Sequence, residues 1–200
     1  MSDEKKQVVT PTGRIVFLKN LFEPNNKEKY TATLLFNDSQ DLKRLRSMML
    51  EEARTKFDEK IINSSKFKWG MKKPDEEAME NFDFFDEETV ILNCSTKFPI
   101  EVKGTSKGPD GKYEDLIDGD LKAGDYCRFL VSCYAWENTT EGKNRGVSFN
   151  VSAVQMIKKG EALYQRKPSD DLFAEADIDI EVDTKGEESD YVDGEDSIEW

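Results

Sequence analysis

Tyr126, Arg128, Tyr134 and Trp136 fall on alternate positions of one eleven-residue segment, YCRFLVSCYAW. Successive side chains of a strand point to opposite faces, so these four share a face with Leu130 and Ser132. Cys127, Phe129, Val131, Cys133 and Ala135 share the other. The second set is wholly apolar and belongs in a core. Three flat rings and a guanidinium are poorly suited to plain solvent. They suit stacking on nucleobases and pairing with phosphates, where each stacked base contributes about 1–3 kcal/mol. The competing explanation of the same alternation is a second layer or a dimer partner covering Tyr134 and Trp136.

The next periodic segment, Gly146–Met156, agrees. Val147, Phe149, Val151 and Ala153 form its apolar face, while Ser148, Asn150 and Ser152 form a small polar face beside the rings. Small neighbours leave room for a ligand, and Lys143 and Arg145 are expected in the connecting loop above. Basic residues adjoin aromatics elsewhere too. Lys66, Lys68, Lys72 and Lys73 surround Trp69, and Lys97 adjoins Phe98, with Lys103 and Lys107 just beyond. A single-strand groove needs that pairing, because charge tracks the phosphates and rings hold the bases. Each cluster alone is also what ordinary solvated surface carries.

Other chemistries are poorly served. Histidine is absent, which removes Ser–His–Asp and Cys–His triads, HExxH zinc sites and an imidazole base. Cys94, Cys127 and Cys133 are an odd count without a CxxC. They read as small buried hydrophobes in a reducing cytosol, with neither disulfide framework nor thiolate zinc site. Asp115, Asp118 and Asp120, or Asp83, Asp86, Glu87 and Glu88, could hold Mg²⁺ as nuclease carboxylates do. However, DLIDGD lacks the D-x-D-x-D-G order of a calcium loop, and turns favour Asp for local reasons. No catalytic residue, metal or cofactor is expected.

These side chains need elements to position them. Gly13–Asn20 and Tyr30–Phe36 alternate and flank the turn-like EPNNKEK, which predicts a hairpin or adjacent strands. Asn37–Asp38–Ser39 offers N-caps to an amphipathic helix running to about Ile62, with Leu42, Leu45, Met49, Ala53, Phe57 and Ile61 on one face. Asn63–Glu88 reads as irregular, Thr89–Thr96 and Phe98–Val102 as strands, and the stretch GTSKGPDGKYEDLIDGD as a long loop. Tyr126–Trp136 and Gly146–Met156 are the clearest strands, joined by a loop containing Gly142. The expectation is five or so strands with one helix after the second.

The chain has 200 residues, 36% of them hydrophobic and 36% charged, with a net charge of −13. Ser169–Trp200 carries 14 Asp/Glu and one Lys, so the tail alone accounts for that charge and Met1–Pro168 is balanced. Two regions follow: a body over 1–168 and an acidic tail over 169–200 with the composition of disorder. The tail ends on Ile198, Glu199 and Trp200, and solubility does not require its two apolar groups, Ile198 and Trp200. No apolar run approaches the roughly 18–20 residues of a membrane helix, and the polar MSDEKKQ start is unlike a signal peptide.

In ordered stretches the sequence resembles the phage single-stranded-DNA-binding proteins of replication and recombination. The stretches are TGRIVFLKNLFEP, YTATLLF, KWG at Lys68–Gly70 and NCSTKFPIEV at Asn93–Val102. AGDYCRFLVSCYAWEN at Ala123–Asn138, NRGVSFNVSAVQMIKKGEAL at Asn144–Leu163 and SDDLF at Ser169–Phe173 complete the set. The resemblance implies an OB-fold, a five-stranded β-barrel with one inserted helix, and a non-enzymatic protein that coats single strands with little sequence preference. It also implies self-association, action in the cytoplasm of the infected host, and a tail that contacts replication proteins such as polymerase or helicase–primase. Carried over by position, the DNA-facing residues are Lys97, Phe98, Tyr134, Trp136 and Arg145, with Trp69 and Lys68 a looser transfer. The residues themselves leave three rivals open. These are an RNA-binding OB module, an acidic scaffold whose tail does the binding, and a metal-dependent nuclease.

Overall fold

The chain is described here, as a computed structural model, over residues 6–37, 40–138 and 144–163. Lys143, Gly142 and the tail tip Ile198, Glu199 and Trp200 lie outside the described residues. Strand β1 spans Gln7–Val9 and β2 Gly13–Val16; a 3-10 turn at Leu18–Asn20 precedes β3 (Tyr30–Asn37). Helix α1 (Lys43–Lys56) and a short α2 (Glu59–Ile62) follow, then β4 (Phe67–Lys68), β5 (Met71–Lys72) and α3 (Glu76–Asn81). The remainder is β6 (Thr89–Thr96), β7 (Glu101–Lys107), β8 (Tyr113–Asp115), β9 (Tyr126–Asn138) and β10 (Asn144–Lys158).

Five strands close on one another. The antiparallel neighbours are β2–β3, β3–β6, β10–β9 and β9–β2, while β6 meets β10 in parallel. Two seams of this ring are thin: β6–β10 rests on the pair Phe149↔Cys94, and β2–β9 on Gly13↔Cys127 and Arg14↔Tyr126. A five-strand ring, partly open, with a helix after its second strand is the OB arrangement that the resemblance implied. Outside the ring, β1 lies along β9, β7 along β10 and β8 along β7, while β4 and β5 flank β10 and β6.

The ring closes because the alternating apolar residues need a common interior. Cys127, Phe129 and Val131 of β9 and Phe149 of β10 are all 0% exposed, as are Ile15, Leu34 and Leu92 from the facing strands. Helix α1 packs beneath the hairpin on Leu45, Met48, Met49 and Ala53. There the Ala135 N–H donates to Glu52 Oε1 at 3.0 Å. A smaller cluster of Val16, Leu35, Phe85 and Ile91 forms outside the ring, where α3 and the Phe-rich segment fold over β2, β3 and β6.

The structure departs from the sequence expectations in several elements. The single helix breaks at Phe57, whose backbone turns extended at φ −129° and ψ 145°. The ring of Phe57 turns inward to meet Phe67 edge-on at 5.5 Å, and the shifted phase buries Ile62 in place of Ile61. The helix begins on Leu42, and the nearby side-chain partner is Asp41, whose Oδ1 accepts from the Lys43 N–H at 3.1 Å. The stretch read as irregular holds α3, whose N-cap Asp75 accepts from the Ala78 N–H at 3.0 Å. That bond is the main cause holding the Asp75 carboxyl below its usual range. The strand expected at Phe98–Val102 starts at Glu101 and runs to Lys107, and part of the long loop is β8, hydrogen-bonded to it.

All three cysteines are buried free thiols. Burial raises the Cys94 thiol far above the ordinary range, and the neighbouring Cys133 adds to the effect. Burial, helped by the Asp125 charge, pushes Cys127 up to about 12. Thiolate is the reactive form, so native protein at neutral pH should leave Cys94 and Cys127 unalkylated. Cys133 borders a small cavity with Met48 and Glu52 and is the most accessible of the three. Mass spectrometry after native and denatured alkylation checks this; rapid native labelling of Cys94 or Cys127 would contradict the closed ring.

Candidate nucleic-acid interface

The long β9–β10 register lays out one outer face of the sheet row by row, because residues paired across strands share a face. Nearest the hairpin tip, Trp136, Gly146 and Lys68 stand side by side across β9, β10 and β4. Tyr134 and Ser148 make the next row, and Gln7, Ser132 and Asn150 the third. A β-bulge between Val151 and Ala153 then resets β10. The sequence expectation put Ala153 on the apolar face, but the bulge turns it outward opposite Leu130. Val154, 0% exposed, takes the core position opposite Phe129. Farther along come Arg128 opposite Gln155, and Tyr126 opposite Lys158.

An open cavity of about 610 Å³ lies over the second and third rows. Tyr134, Asn150 and Ser152 line it from the hairpin, and Ser95 to Pro99 from the β6–β7 connection; Gln7, Lys29 and Glu101 complete it. The connection is a tight local fold. The Phe98 N–H donates to Thr96 Oγ1 at 3.2 Å, while buried Ile100 anchors the far end. Lys97 and Phe98 are thereby held out as the tip, and Phe98 is 77% exposed. An apolar ring so exposed on a short, anchored turn beside a lysine is unusual for solvent and normal for a stacking platform.

Each expected site residue has a definite position. Lys97, Phe98 and Tyr134 meet at this cavity. Trp136 continues its face, with its indole Nε1–H donating to Ser148 Oγ at 2.9 Å, so the ring is oriented before any ligand arrives. Lys68 stands two strands away across Gly146. A Cβ on Gly146 would run into the Lys68 carbonyl oxygen, so the bare glycine is what lets β4 lie alongside. Trp69 is 36% exposed and sits at the rim of the core, edge-on to Phe67 at 4.8 Å. The following Gly70 is pressed against the Phe149 ring.

Arg128 and Tyr126 lie farther down the same face. The Arg128 Nε–H donates to Gln155 Oε1 at 2.9 Å. Lys158 Nζ stands 4.4 Å from the centre of the Tyr126 ring, with the Arg14 guanidinium at 6.0 Å. Arg145 differs from its expected place. It belongs to β10 rather than the loop, and its pairing with Glu137 puts it on the face of Ala135 and Val147, opposite Trp136. Its Nε–H meets Glu137 Oε1 at 2.6 Å. Two lysines of the cluster around Trp69 are likewise engaged: Lys72 pairs with Asp75 at 3.6 Å, and Lys73 donates to the Glu87 carbonyl.

Sequence reasoning missed Lys29 and Gln7. Lys29 sat in a segment read only as turn. The Asn25 side chain accepts from the Lys27 and Lys29 N–H groups at 2.9 and 3.2 Å, folding the turn so that Lys29 arrives beside β3 at the cavity. An Asn–Asn turn ending in a basic residue just before a strand was the available signal. Gln7 sat in a polar arm; as part of β1 it donates to Ser152 Oγ at 3.0 Å. Among the described residues, no group of three or more acidic or cysteine side chains is placed to hold a metal ion. Among those residues, too, no helix is long and apolar enough to cross a membrane. The site offers rings, cations and small hydroxyl and amide groups, which is equipment for holding a polyanion with flat bases.

A family model described as "Enterobacter phage Enc34, ssDNA-binding protein" matches residues 6–183. The chain is also similar to the solved structure of the single-stranded DNA-binding protein from bacteriophage Enc34. The identity is 14% and the TM-score 0.57, covering 84% of this chain and 89% of that one. The complex of that protein with ssDNA matches at 14% identity and TM-score 0.58, over 79% and 89% of the two chains. The single-stranded DNA binding protein gp2.5 of bacteriophage T7 matches at 13% identity and TM-score 0.51, over 95% and 100%. At these identities the likeness establishes the shared fold. No curated protein matches the chain by sequence.

Proposed function

The chain belongs to the phage single-stranded-DNA-binding protein family of the Enterobacter phage Enc34 protein, and on that premise we propose how it engages its ligand. It binds single strands in the cavity between the β9–β10 hairpin and the β6–β7 turn, with little sequence preference, coating and protecting them during phage replication and recombination. The family is one of binding proteins, not enzymes. The observation that carries the proposal is the convergence of Phe98, Lys97 and Tyr134 over a floor of small polar residues. Phe98 and Tyr134 stack on bases, Trp136 continues the platform, and Lys97, Lys29 and Lys68 track phosphates. Arg128 and Tyr126 belong to the same proposed path, and Lys143 and Arg145 are included in it from their place in the sequence. Arg145 starts on the opposite face, so joining the path requires it to leave Glu137 and reach around the hairpin.

The acidic segment 169–200 acts as a separate region beside the body over 1–168. Because the body is electrically balanced and the tail carries the whole net charge, the tail competes with DNA for the cationic groove at low salt. Once displaced, its tip offers Ile198, Glu199 and Trp200 to replication proteins of the phage or of the infected host cell, where the protein acts in the cytoplasm. Self-association is part of the same proposal.

Intrinsic tryptophan fluorescence titrated with oligo-dT, oligo-rU and duplex DNA of equal length tests both halves. Met1–Trp200 and Met1–Pro168 are compared at low and moderate salt. Quenching by dT and not by duplex is expected, with tighter binding by the truncated chain that fades as salt rises. Equal affinity of the two chains at low salt removes tail competition. Absence of binding to any single strand removes the groove, and preference for rU transfers it to RNA.

A further inference from the structure

We infer that the outer face carries a second base-binding station beyond the main cavity, between the β7–β8 hairpin and the far half of β9–β10. This rests on the proposed reading of the first cavity. Past the bulge, Val9, Leu130 and Ala153 lie side by side across β1, β9 and β10. The next row continues without a break as Arg128, Gln155, Lys103 and Asp115 across β9, β10, β7 and β8. A separate cavity of about 170 Å³ opens over these two rows, lined by Val9, Leu130, Ala153, Arg128, Lys103 and Tyr113.

It shares a ring and cations with the first cavity, set over an apolar floor in place of a small polar one. The floor is apolar and low, because the bulge sets Ala153 where a larger side chain could stand. Val9 stays 49% exposed on that floor, a β-branched side chain only half covered by protein. Tyr113, 37% exposed, forms a ring wall, and Lys107 Nζ stands 4.8 Å from its centre. A lysine over one region of a tyrosine ring leaves a π-surface already flanked by positive charge, as a stacked nucleotide requires. Arg128 is held by Gln155, which donates in turn to the Gly104 carbonyl at 3.2 Å. The guanidinium is therefore fixed at the cavity by a neutral partner.

Lys103 is engaged by Asp115 at 2.5 Å and Glu101 at 3.5 Å, and the Asp115 bond is the main cause that raises its pKa. It is a firmly charged support for the hairpin. Phosphate contact falls to Arg128 and Lys107. One row of the sheet is two residues, roughly 6.8 Å, and the two cavities meet at adjacent rows, so one strand can pass from the first to the second.

The test is affinity against oligonucleotide length at fixed salt, for the full chain and for the variants Tyr113→Ala and Val9→Asp. Both positions are exposed, so thermal melts should match the unsubstituted protein. The lengths compared are dT of about 4 and about 16 nucleotides, the ends of the range one OB fold covers, with the short strand seated in the first cavity on this proposal. Expected is unchanged affinity for the short strand and a loss of roughly 5- to 100-fold for the long one. Variants that bind both lengths as the unsubstituted chain does overturn the second station. An equal loss at both lengths also overturns it, since the defect would then lie in the first groove. If the unsubstituted chain binds neither length, the proposed function itself falls.

Discussion

Replacing Phe98 and Tyr134 together by alanine should lower affinity for oligo-dT by at least roughly 5-fold, with roughly 25,000-fold as the ceiling that two fully additive stacks of about 1–3 kcal/mol each would set. Phe98 is 77% exposed and packs against little, so its loss should leave stability within about 0.5 kcal/mol. Tyr134 is half-buried, and truncation there removes some packing as well, about 1 kcal/mol. Because both rings border one cavity, the single losses should not sum to the double one. Fluorescence titration of both single variants and the double, with thermal melts as control, separates binding from folding. A double variant that folds and binds as before would show that bases do not stack between the β6–β7 turn and the hairpin.

Phe149→Ala should cost about 3–5 kcal/mol of stability, because a fully buried aromatic leaves a cavity that its surroundings only partly fill. For a chain of this size that is a fall of roughly 6–20 °C in Tm. The position is unusually exposed to consequence. Phe149 makes the single β6–β10 pair with Cys94, faces Cys133 across the hairpin, and supports Gly70 with its ring. Its neighbours Ser148 and Asn150 belong to the outer face, so a loosened Phe149 also loosens the floor of the groove. Circular dichroism melts give the stability, and tryptophan emission reports whether Trp69 becomes more exposed. A loss below about 1 kcal/mol would mean that the ring of strands is not held at this seam.

Much of this was legible in the residues. The alternation of β9 separated buried from outer positions correctly from Tyr126 to Val131, because the two-residue period is a property of the strand itself; beyond it Ser132 is buried and Ala135 only half-buried. The apolar stripe of α1 and the burial of the cysteines followed from similarly local reasoning. So did the assignment of the whole net charge to the tail.

What escaped was set by partners distant in sequence. Ala153 changes face because of a bulge, and Arg145 faces Glu137 because of hairpin register. Tyr113 lies in a strand because β7 is there to pair with it. A one-residue shift in pairing reverses every side chain beyond it, and no single segment records which shift applies. The residue types therefore determined an aromatic, cationic face on a long strand, and the family resemblance supplied the small β-barrel that carries it. Only the tertiary pairing decided that Lys97 and Phe98 arrive opposite Tyr134 while Arg145 points away, since register is chosen by contacts between strands and not within them.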